Sequence, residues 1–307
     1  IILLAGVFAL GITRNGATRW YSVLGINFQP SELAKIAVVI YLASFLAETK
    51  KEINNVKEHL FPLILILGLI IGLIIVQPDF STSMLLALIA GSMLFISPLR
   101  LKYILSFILA LLPVVIFTIM RGGYQAERIK IWLAGLNDPM QASYQIKQSL
   151  IGLGRGGWLG HGLGNSRQKL QFLPDSHTDF IFSIIGEELG LLGTSVVMIC
   201  FFVLMYRGFH IARKTDNAFG KFLAIGITLN IVYYGIINAS VVSILLPPTG
   251  LPMPFLSYGG SHLLFVGIGV GILLNISRQT ETAVDSKKSS SYRQRREQMY
   301  RKVLTAD

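Results

Sequence analysis

The sequence predicts an all-α fold, a polytopic membrane bundle of helices with one large loop. Hydrophobic residues make up 52% of the chain and charged residues only 14%, against about 25% charged in a typical soluble domain. Apolar runs close to the roughly 18 residues that a membrane-spanning helix needs recur along the whole chain. The one cysteine, Cys200, lies inside such a run, which excludes a disulfide framework and a thiolate metal site.

Eight apolar segments account for most of the chain. The first begins in mid-pattern at Ile1 without a basic flank, so it is not a signal peptide, and it is too short to span a membrane. We therefore expect the sequence to lack the natural N-terminus of the protein. In order, the segments cover residues 1–13, 31–47, 61–77, 82–98, 103–120, 180–206, 221–246 and 259–277.

Lys and Arg in the short loops predict the orientation, because cytoplasmic loops are enriched in these residues. One side holds 17 of them, nine in loops and eight in the tail, whereas the short loops of the other side hold only Arg14 and Arg19. The first side is therefore predicted to be cytoplasmic. The nine loop residues are Lys50, Lys51, Lys57, Arg100, Lys102, Arg207, Arg213, Lys214 and Lys221.

The large loop at 121–179 then lies outside the cytoplasm and belongs to a transmembrane domain that covers residues 1–277. It carries seven bases against four acids, which indicates an anionic ligand or, alternatively, contact with anionic lipid head groups. The tail at 278–307 is basic and cytoplasmic, and we expect it to be disordered or to lie on the membrane. Most of the formal charge of +11 flanks apolar spans, so nucleic acid is not an expected partner.

Asp179 opens the apolar segment that follows the large loop. Partial desolvation at a membrane boundary favours the neutral form of a carboxyl group, which makes its ionised form a stronger base. His177, two residues earlier, can tune this acid or donate to a substrate. The alternative is structural, because Thr178 or Asp179 can cap the helix that starts near Phe180. The residue pattern alone leaves both interpretations open.

Glu187 and Glu188 lie two turns further into the same predicted helix, where adjacent acids need partners. Glu32 and Lys35, at i and i+3 in the second segment, form a pair that can supply one. We expect structural ion pairing for Glu32, Lys35 and Glu188.

Two turns on the predicted outer side carry further polar residues. Asp79 follows Pro78, which breaks a helix, and is predicted to cap the next helix, with contact to a substrate as the alternative. Arg19 and Trp20 lie in an outer turn at 14–20. Trp is typical of an interfacial anchor there, whereas Arg can bind phosphate in a bidentate way.

Residues 247–260, PPTGLPMPFLSYGG, hold four prolines and three glycines between two spans. Irregular backbone at membrane depth is tolerated only where it is buried in protein or lines a cavity, which predicts the wall of a site. Ser257 and Tyr258 would offer hydroxyl groups to a ligand there. The chain contains no P-loop, no GxSxG elbow and no HExxH motif, and its glycine-rich GRGGWLGHGLG follows no predicted strand.

Five motifs together indicate a family resemblance. GATRW, QPSELAK, QPDFST, GLGNSRQKLQFLPDSHTDFIFSIIGEELG and PMPFLSYGGS occur in this order, cover nearly the whole chain and resemble the SEDS family (shape, elongation, division and sporulation). The resemblance implies a ten-helix membrane bundle of which about eight helices are present here. NSRQK and PFLSYGGS are similar to the division and sporulation members more than to the elongation members, and we predict a division member.

The resemblance also implies an activity. Members of the family polymerise lipid II into peptidoglycan glycan strands outside the cytoplasmic membrane, beside a class B penicillin-binding protein, a transpeptidase that cross-links the strands. The family's essential acid matches the Asp of HTDF, which is Asp179 here. The implied location is the bacterial cytoplasmic (inner) membrane, with other division proteins and membrane lipid as further partners.

The reaction that the resemblance implies is an inverting glycosyl transfer. Asp179 deprotonates the 4-hydroxyl of the acceptor GlcNAc, the oxygen attacks the anomeric carbon of the donor MurNAc, and undecaprenyl pyrophosphate leaves. The anionic leaving group needs positive charge nearby. No cofactor motif and no metal-ligand spacing is visible, although a divalent cation can assist. Arg19, Arg155, Arg167 and Lys169 are favoured as cations over Arg14, Lys130 and Lys147, and Trp20, His177, Ser257 and Tyr258 complete the predicted substrate site.

Two other functions fit the same sequence. A lipid II flippase would move the substrate across the membrane without chemistry, and charges at mid-depth such as Glu32, Lys35 and Glu188 would suit transport. A scaffold for division proteins would make Asp179 dispensable. A flippase needs polar residues through the whole thickness of the membrane, whereas the strongest polar cluster here is predicted at the outer face, which favours polymerisation.

Overall fold

The protein is a multi-pass membrane bundle, as the sequence predicts. The computed structural model describes residues 1–14, 17–23, 26–48, 60–105, 109, 113, 116, 123–174 and 176–304. Within these residues, four helices are long and apolar enough to cross a membrane, and two shorter apolar helices accompany them.

Of the residues described up to position 96, four stretches are helical, namely α1 (Ile2–Leu10), α2 (Pro30–Glu48), α3 (Phe61–Val76) and α4 (Phe80–Ile96). Asp79 caps α4, because its side chain accepts a hydrogen bond from the main-chain N–H of Thr82 at 3.3 Å. This confirms the predicted cap. The predicted fifth segment, 103–120, falls mostly outside the described residues.

The described residues of the predicted outer turn, 14 and 17–20, lie in the strands of a small antiparallel sheet. Its strands are β1 (Ile12–Arg14), β2 (Ala17–Val23) and β3 (Ile26–Phe28), in the order β1-β2-β3. Trp20 lies opposite Ile12 in this sheet. Threonine, valine, isoleucine and aromatic residues favour strands, but the strands are too short for an alternating pattern to reveal them in the sequence.

The large loop is mostly helical. It contains α5 (Tyr124–Asn137), a 3₁₀ turn (Pro139–Gln141), α6 (Tyr144–Gly156) and a π-helical turn (Gln168–Phe172). The hydroxyl of Ser143 caps α6 by accepting from the N–H of Ile146 at 3.4 Å. These elements fold the loop back onto the transmembrane helices rather than leaving it free.

Three long helices follow: α7 (Ile181–Lys214), α8 (Ala218–Val242) and α9 (Gly260–Leu304). α8 is the centre of the bundle, since 83% of its 18-residue apolar stretch is buried inside the protein. It packs against α7, α2, α4 and α9. The side chain of Asn217 caps it by accepting from the N–H of Phe219 at 3.0 Å.

The tail is helical, because α9 continues to Leu304. The first alternative, that the tail is disordered, is therefore wrong for residues 278–304, and the second, that it lies on the membrane, stays a prediction. Residues 278–304 contain no proline and no glycine and include many Arg, Lys, Gln and Glu residues, which are good helix formers.

Candidate active site

Asp179 lies at the junction between the large loop and α7, and its side chain is half-buried. α7 begins at Ile181, and its N-cap residue is Phe180. Neither Thr178 nor Asp179 therefore occupies the N-cap position that the structural alternative assigned to them. The carboxylate stands in a turn immediately ahead of the helix.

The backbone around Asp179 is fixed by the proline-rich segment 247–260. The hydroxyl of Ser257 donates to the carbonyl of Thr178 at 2.5 Å and accepts from the N–H of Met253 at 2.7 Å. The N–H of Tyr258 donates to the carbonyl of His177 at 2.8 Å. The two predicted parts of the site, HTDF and PFLSYGG, are thus hydrogen-bonded to each other.

Asn238 of α8 completes this support. It is 2% exposed, and its side-chain nitrogen donates to the carbonyl of Asp179 at 2.7 Å and to that of Leu251 at 2.8 Å. Sequence reasoning missed this residue. The available signal was an amide in an otherwise apolar helix, since a buried polar side chain there needs partners.

The turn at Thr249–Gly250 faces the carboxylate of Asp179. Gly250 has φ +69°, and a Cβ built on it would lie 3.3 Å from Oδ2 of Asp179. The hydroxyl of Thr249 is buried without a hydrogen-bond partner among the described residues. Only glycine places the turn this close to the acid in that backbone conformation.

Helix α5 of the large loop is docked against the start of the same segment. Nη1 of Arg128 donates to the carbonyl of Pro248 at 3.2 Å, and Nε1 of Trp132 donates to that of Ile244 at 2.9 Å. The segment 247–260 is therefore hydrogen-bonded to α5, to α8 and to the Asp179 turn, and its role as the wall of a site stays a prediction.

The predicted hydroxyl and imidazole groups differ in availability. The side chains of His177 and Tyr258 are exposed, the latter 83%, so both can meet a ligand. The hydroxyl of Ser257 is used to hold the turn. Ser257 therefore supports the site rather than offering a free group to a substrate.

Arg155 and Lys169 are paired with acids of α7. Nη1 of Arg155 lies 2.8 Å from Oε1 of Glu187, whose side chain is fully buried. Nζ of Lys169 lies 2.9 Å from Oε1 of Glu188. The partners of Glu187 and Glu188 are thus these two bases and not Glu32 or Lys35.

The two glutamates also hold the turn that precedes the π-helix. Glu187 accepts from the hydroxyl of Ser166 at 2.6 Å and from the N–H of Gln168 at 3.1 Å. Glu188 accepts from the N–H of Ser166 at 3.3 Å. The side chain of Arg167 is exposed and forms no ion pair within the described part of the chain.

Arg19 lies at another turn. It donates to the carbonyls of Gln77, at 3.1 Å, and Pro78, and its guanidinium lies 3.9 Å from the carboxylate of Asp79. It thereby joins β2 to the cap of α4. No described contact brings Arg19 or Trp20 to the Asp179 turn.

Glu32 and Lys35 of α2 form a buried network with Tyr234, which lies on α8 one helical turn before Asn238. Nζ of Lys35 lies 2.6 Å from Oε1 of Glu32, which also accepts from the hydroxyl of Tyr234 at 3.0 Å. Nδ1 of His262 lies 3.2 Å from Oε2 of Glu32. Glu32 and Lys35, two of the three charges that would suit a transport path, are therefore paired with each other and closed to solvent.

The described residues include no group of three His, Cys, Asp or Glu side chains that could hold a metal ion. The chemistry available at the Asp179 turn is that of a single half-buried carboxylate. Among the described residues, the turns that support it contribute His177 and Tyr258 but no second acid.

Comparison with protein families matches residues 1–282 to a family described as cell cycle protein, FtsW/RodA/SpoVE. The chain is 40% identical over 283 residues to a probable peptidoglycan glycosyltransferase FtsW of Geobacter sp. (strain M18), covering 92% of this chain and 77% of that protein. It is 38% identical over 278 residues to stage V sporulation protein E of Bacillus subtilis (strain 168), covering 91% and 75%.

Solved structures show the same fold. A chain of a peptidoglycan synthase complex, described for its coordination of polymerization and crosslinking, superposes with a TM-score of 0.72 at 26% identity and covers 91% of this chain and 78% of its own. The rod shape determining protein RodA of Thermus thermophilus superposes with a TM-score of 0.63 at 25% identity, covering 91% and 75%.

Proposed function

Because the chain belongs to the FtsW, RodA and SpoVE family of cell cycle proteins, we propose that it is a peptidoglycan glycosyltransferase of the FtsW type. It polymerises lipid II into glycan strands during cell division and releases undecaprenyl pyrophosphate. The observation that carries the proposal is the Asp179 turn, a carboxylate whose backbone is held by α8 and by the segment 247–260.

Asp179 is the proposed general base. Its carboxylate takes the proton of the 4-hydroxyl of the acceptor GlcNAc while that oxygen attacks the anomeric carbon of the donor MurNAc. The glycosidic bond forms as the bond to the pyrophosphate oxygen breaks, with inversion at the anomeric carbon. A general base needs a fixed position within hydrogen-bond reach of the proton that it removes, and three hydrogen bonds to residues 177–179 supply that fixity.

Arg167 is the cation that we propose for the pyrophosphate. Of the four favoured cations, Arg155 and Lys169 neutralise Glu187 and Glu188, and Arg19 holds the turn before α4. Arg167 is exposed and lies beside them in the same loop. Charge-assisted contacts to phosphate oxygens are favourable when the cation is not already paired. His177 and Tyr258 contact the sugars in this proposal.

The setting follows from the same reaction. The protein lies in the bacterial cytoplasmic membrane with Asp179 on the extracytoplasmic side, where it meets lipid II and a class B penicillin-binding protein that cross-links the product. No resident cofactor is proposed. A divalent cation bound to the substrate pyrophosphate would assist there by neutralising its charge.

The experiment that tests this function separates polymerisation from transport. The purified protein and its class B penicillin-binding protein are incorporated into vesicles with fluorescent lipid II, and both glycan strands and movement of lipid II between leaflets are measured. We expect strands longer than a few disaccharides and no acceleration of transbilayer movement. Accelerated movement without strands would replace the polymerase with a flippase.

A further inference from the structure

α7 is longer than a membrane span. It has 34 residues, whereas about 20 residues at 1.5 Å per residue cross a hydrocarbon core about 30 Å thick. The 18 residues from Leu189 to Tyr206 carry no charged side chain and are bounded by Glu188 and Arg207. Residues 189–206 span about 27 Å as a helix. They present exposed apolar side chains such as Leu192, Val196 and Phe202. The outer boundary of the bilayer on α7 therefore lies near Leu189 rather than at Ile181.

A loop of the extracytoplasmic region is fixed to α7 at that boundary. Gly190 has φ +68° and ψ −162°, so the helical conformation is interrupted at this residue and α7 is kinked there. The N–H groups of His161 and Gly162 donate to the carbonyls of Glu187 and Glu188 at 3.1 and 2.9 Å. In the other direction, the N–H groups of α7 residues Leu191 and Leu192 donate to the carbonyls of Gly157 and Trp158 at 2.9 and 3.1 Å. Four main-chain hydrogen bonds thus hold residues 157–162 at the height of the kink.

The side chains of this loop are apolar and project from the protein. Trp158 and Leu159 are each 74% exposed, and Leu163 is 76% exposed. Clusters of large exposed apolar side chains mark an interaction surface. The main chain of the loop meets α7 where the exposed apolar face of the helix begins, because the carbonyl of Trp158 accepts a hydrogen bond from the N–H of Leu192.

The polar groups at the same height suit a membrane interface. The ion pairs Arg155–Glu187 and Lys169–Glu188 lie directly above the boundary, and Arg167 is exposed beside them. Tryptophan is enriched at the level of lipid head groups, where its ring is amphipathic.

We propose that residues 157–163 form an interfacial anchor, in which Trp158, Leu159 and Leu163 insert into the phospholipid leaflet on the side of Asp179. The anchor sets the height of the large loop above the bilayer. It rests on the position of the apolar span of α7 and does not depend on the proposed enzymatic function.

Nitroxide labels on the full-length chain in vesicles of phosphatidylcholine and phosphatidylglycerol test the proposal. Three single-label proteins are compared: native Cys200, which is exposed on α7, Leu159→Cys with Cys200→Ser, and Asn137→Cys with Cys200→Ser. Paramagnetic resonance measures collision with oxygen, which partitions into lipid, and with an aqueous nickel chelate. Cys200 is the mid-membrane reference, and Asn137, exposed at the polar end of α5, is the aqueous reference.

We expect the Leu159 label to be shielded from nickel and accessible to oxygen, at a depth between those of the two references. Nickel accessibility equal to that of the Asn137 label would overturn the anchor. Shielding that appears only after a penicillin-binding protein is added would do so too, because it would make the loop a protein-docking surface.

If Leu159→Cys fails to insert, the fluorescence of Trp158 gives the same answer. The difference in emission between the native chain and Trp158→Phe isolates this residue from the other two tryptophans. Quenching of the difference signal by phospholipid brominated near the head group supports the anchor. Quenching by aqueous iodide alone contradicts it.

Discussion

Asn238 holds Asp179 by its main chain: the side-chain nitrogen of the first lies 2.7 Å from the carbonyl oxygen of the second. The same nitrogen donates to the carbonyl of Leu251 at 2.8 Å, beside the glycine that faces the carboxylate. One buried amide of the central helix therefore sets the distance between the proposed base and the wall opposite it.

Replacing Asn238 with Ala should reduce polymerisation more than it reduces folding. The change removes the amide donor that the two carbonyls share, and an unsatisfied buried group costs roughly 1–3 kcal/mol. It also frees the Asp179 turn. A displacement of about 1 Å at a reacting group can cost about 100-fold in rate. We expect kcat to fall roughly 10–100-fold in steady-state assays of lipid II consumption, with a smaller change in KM.

Asn230→Ala is the matched control for that variant. Asn230 is also a buried amide of α8, two turns away, and no described contact links it to the Asp179 turn. It should lower the thermal midpoint without a selective loss of kcat. Equal losses of kcat in both variants would assign the effect of Asn238 to general destabilisation.

Gly250→Ala should impair the site through shape. At φ +69° the new Cβ would lie 3.3 Å from Oδ2 of Asp179, and a left-handed conformation costs a non-glycine residue roughly 1–2 kcal/mol. We expect about a 10-fold loss of kcat, measured as polymer formed per minute. Gly259→Ala, whose Cβ would meet only Cβ of His262 at 3.6 Å, should retain activity, and an unimpaired Gly250→Ala variant would remove the proposed wall.

The cations of the large loop should separate into two groups. Arg155→Ala strands the buried Glu187, so we expect it to lower the free energy of unfolding by about 1–3 kcal/mol, measured by thermal denaturation in detergent. Arg167→Ala should leave that free energy unchanged and raise KM for lipid II several-fold. An unchanged KM in Arg167→Ala would move the pyrophosphate site to another cation. Lys147→Ala, in the same loop, is the control.

The predicted orientation of the chain in the membrane can be tested by labelling single cysteines. In a Cys200→Ser background, Asn137→Cys should react with a membrane-impermeant thiol reagent in intact spheroplasts, and Ser290→Cys should react only after lysis. The reason is the 17 Lys and Arg residues of one side against two in the short loops of the other. The reverse labelling pattern would place Asp179 on the cytoplasmic side and remove the polymerase proposal.

Hydropathy and motif order were sufficient for the bundle, because long apolar runs have one structural solution in a bilayer. The Asp179 turn and the segment 247–260 also carry signals, an acid at the start of an apolar helix and a cluster of prolines. Their pairing does not follow from sequence, since Ser257 and Tyr258 reach residues 177 and 178 through hydrogen bonds across about 80 positions of chain.

The ion pairs show the same limit. Arg155 and Lys169 have the charge that a pyrophosphate site needs, and no sequence pattern reveals that Glu187 and Glu188 are their partners. The kink at Gly190 and the docked loop at 157–162 bring these groups together. A helix pattern cannot encode that arrangement, because glycines inside apolar helices also serve close packing.

The most direct test of the central claim is polymerisation of lipid II by the protein carrying Asp179→Asn, purified with its class B penicillin-binding protein. Asparagine keeps the shape of the side chain but has no basic oxygen. The main-chain carbonyl of residue 179 can still accept the hydrogen bond from Asn238. The loss of a general base costs roughly 10²–10⁴-fold, so we predict no detectable glycan strands from a folded complex with the native thermal midpoint. Strands of normal length and yield from Asp179→Asn would contradict the assignment of Asp179 as the base.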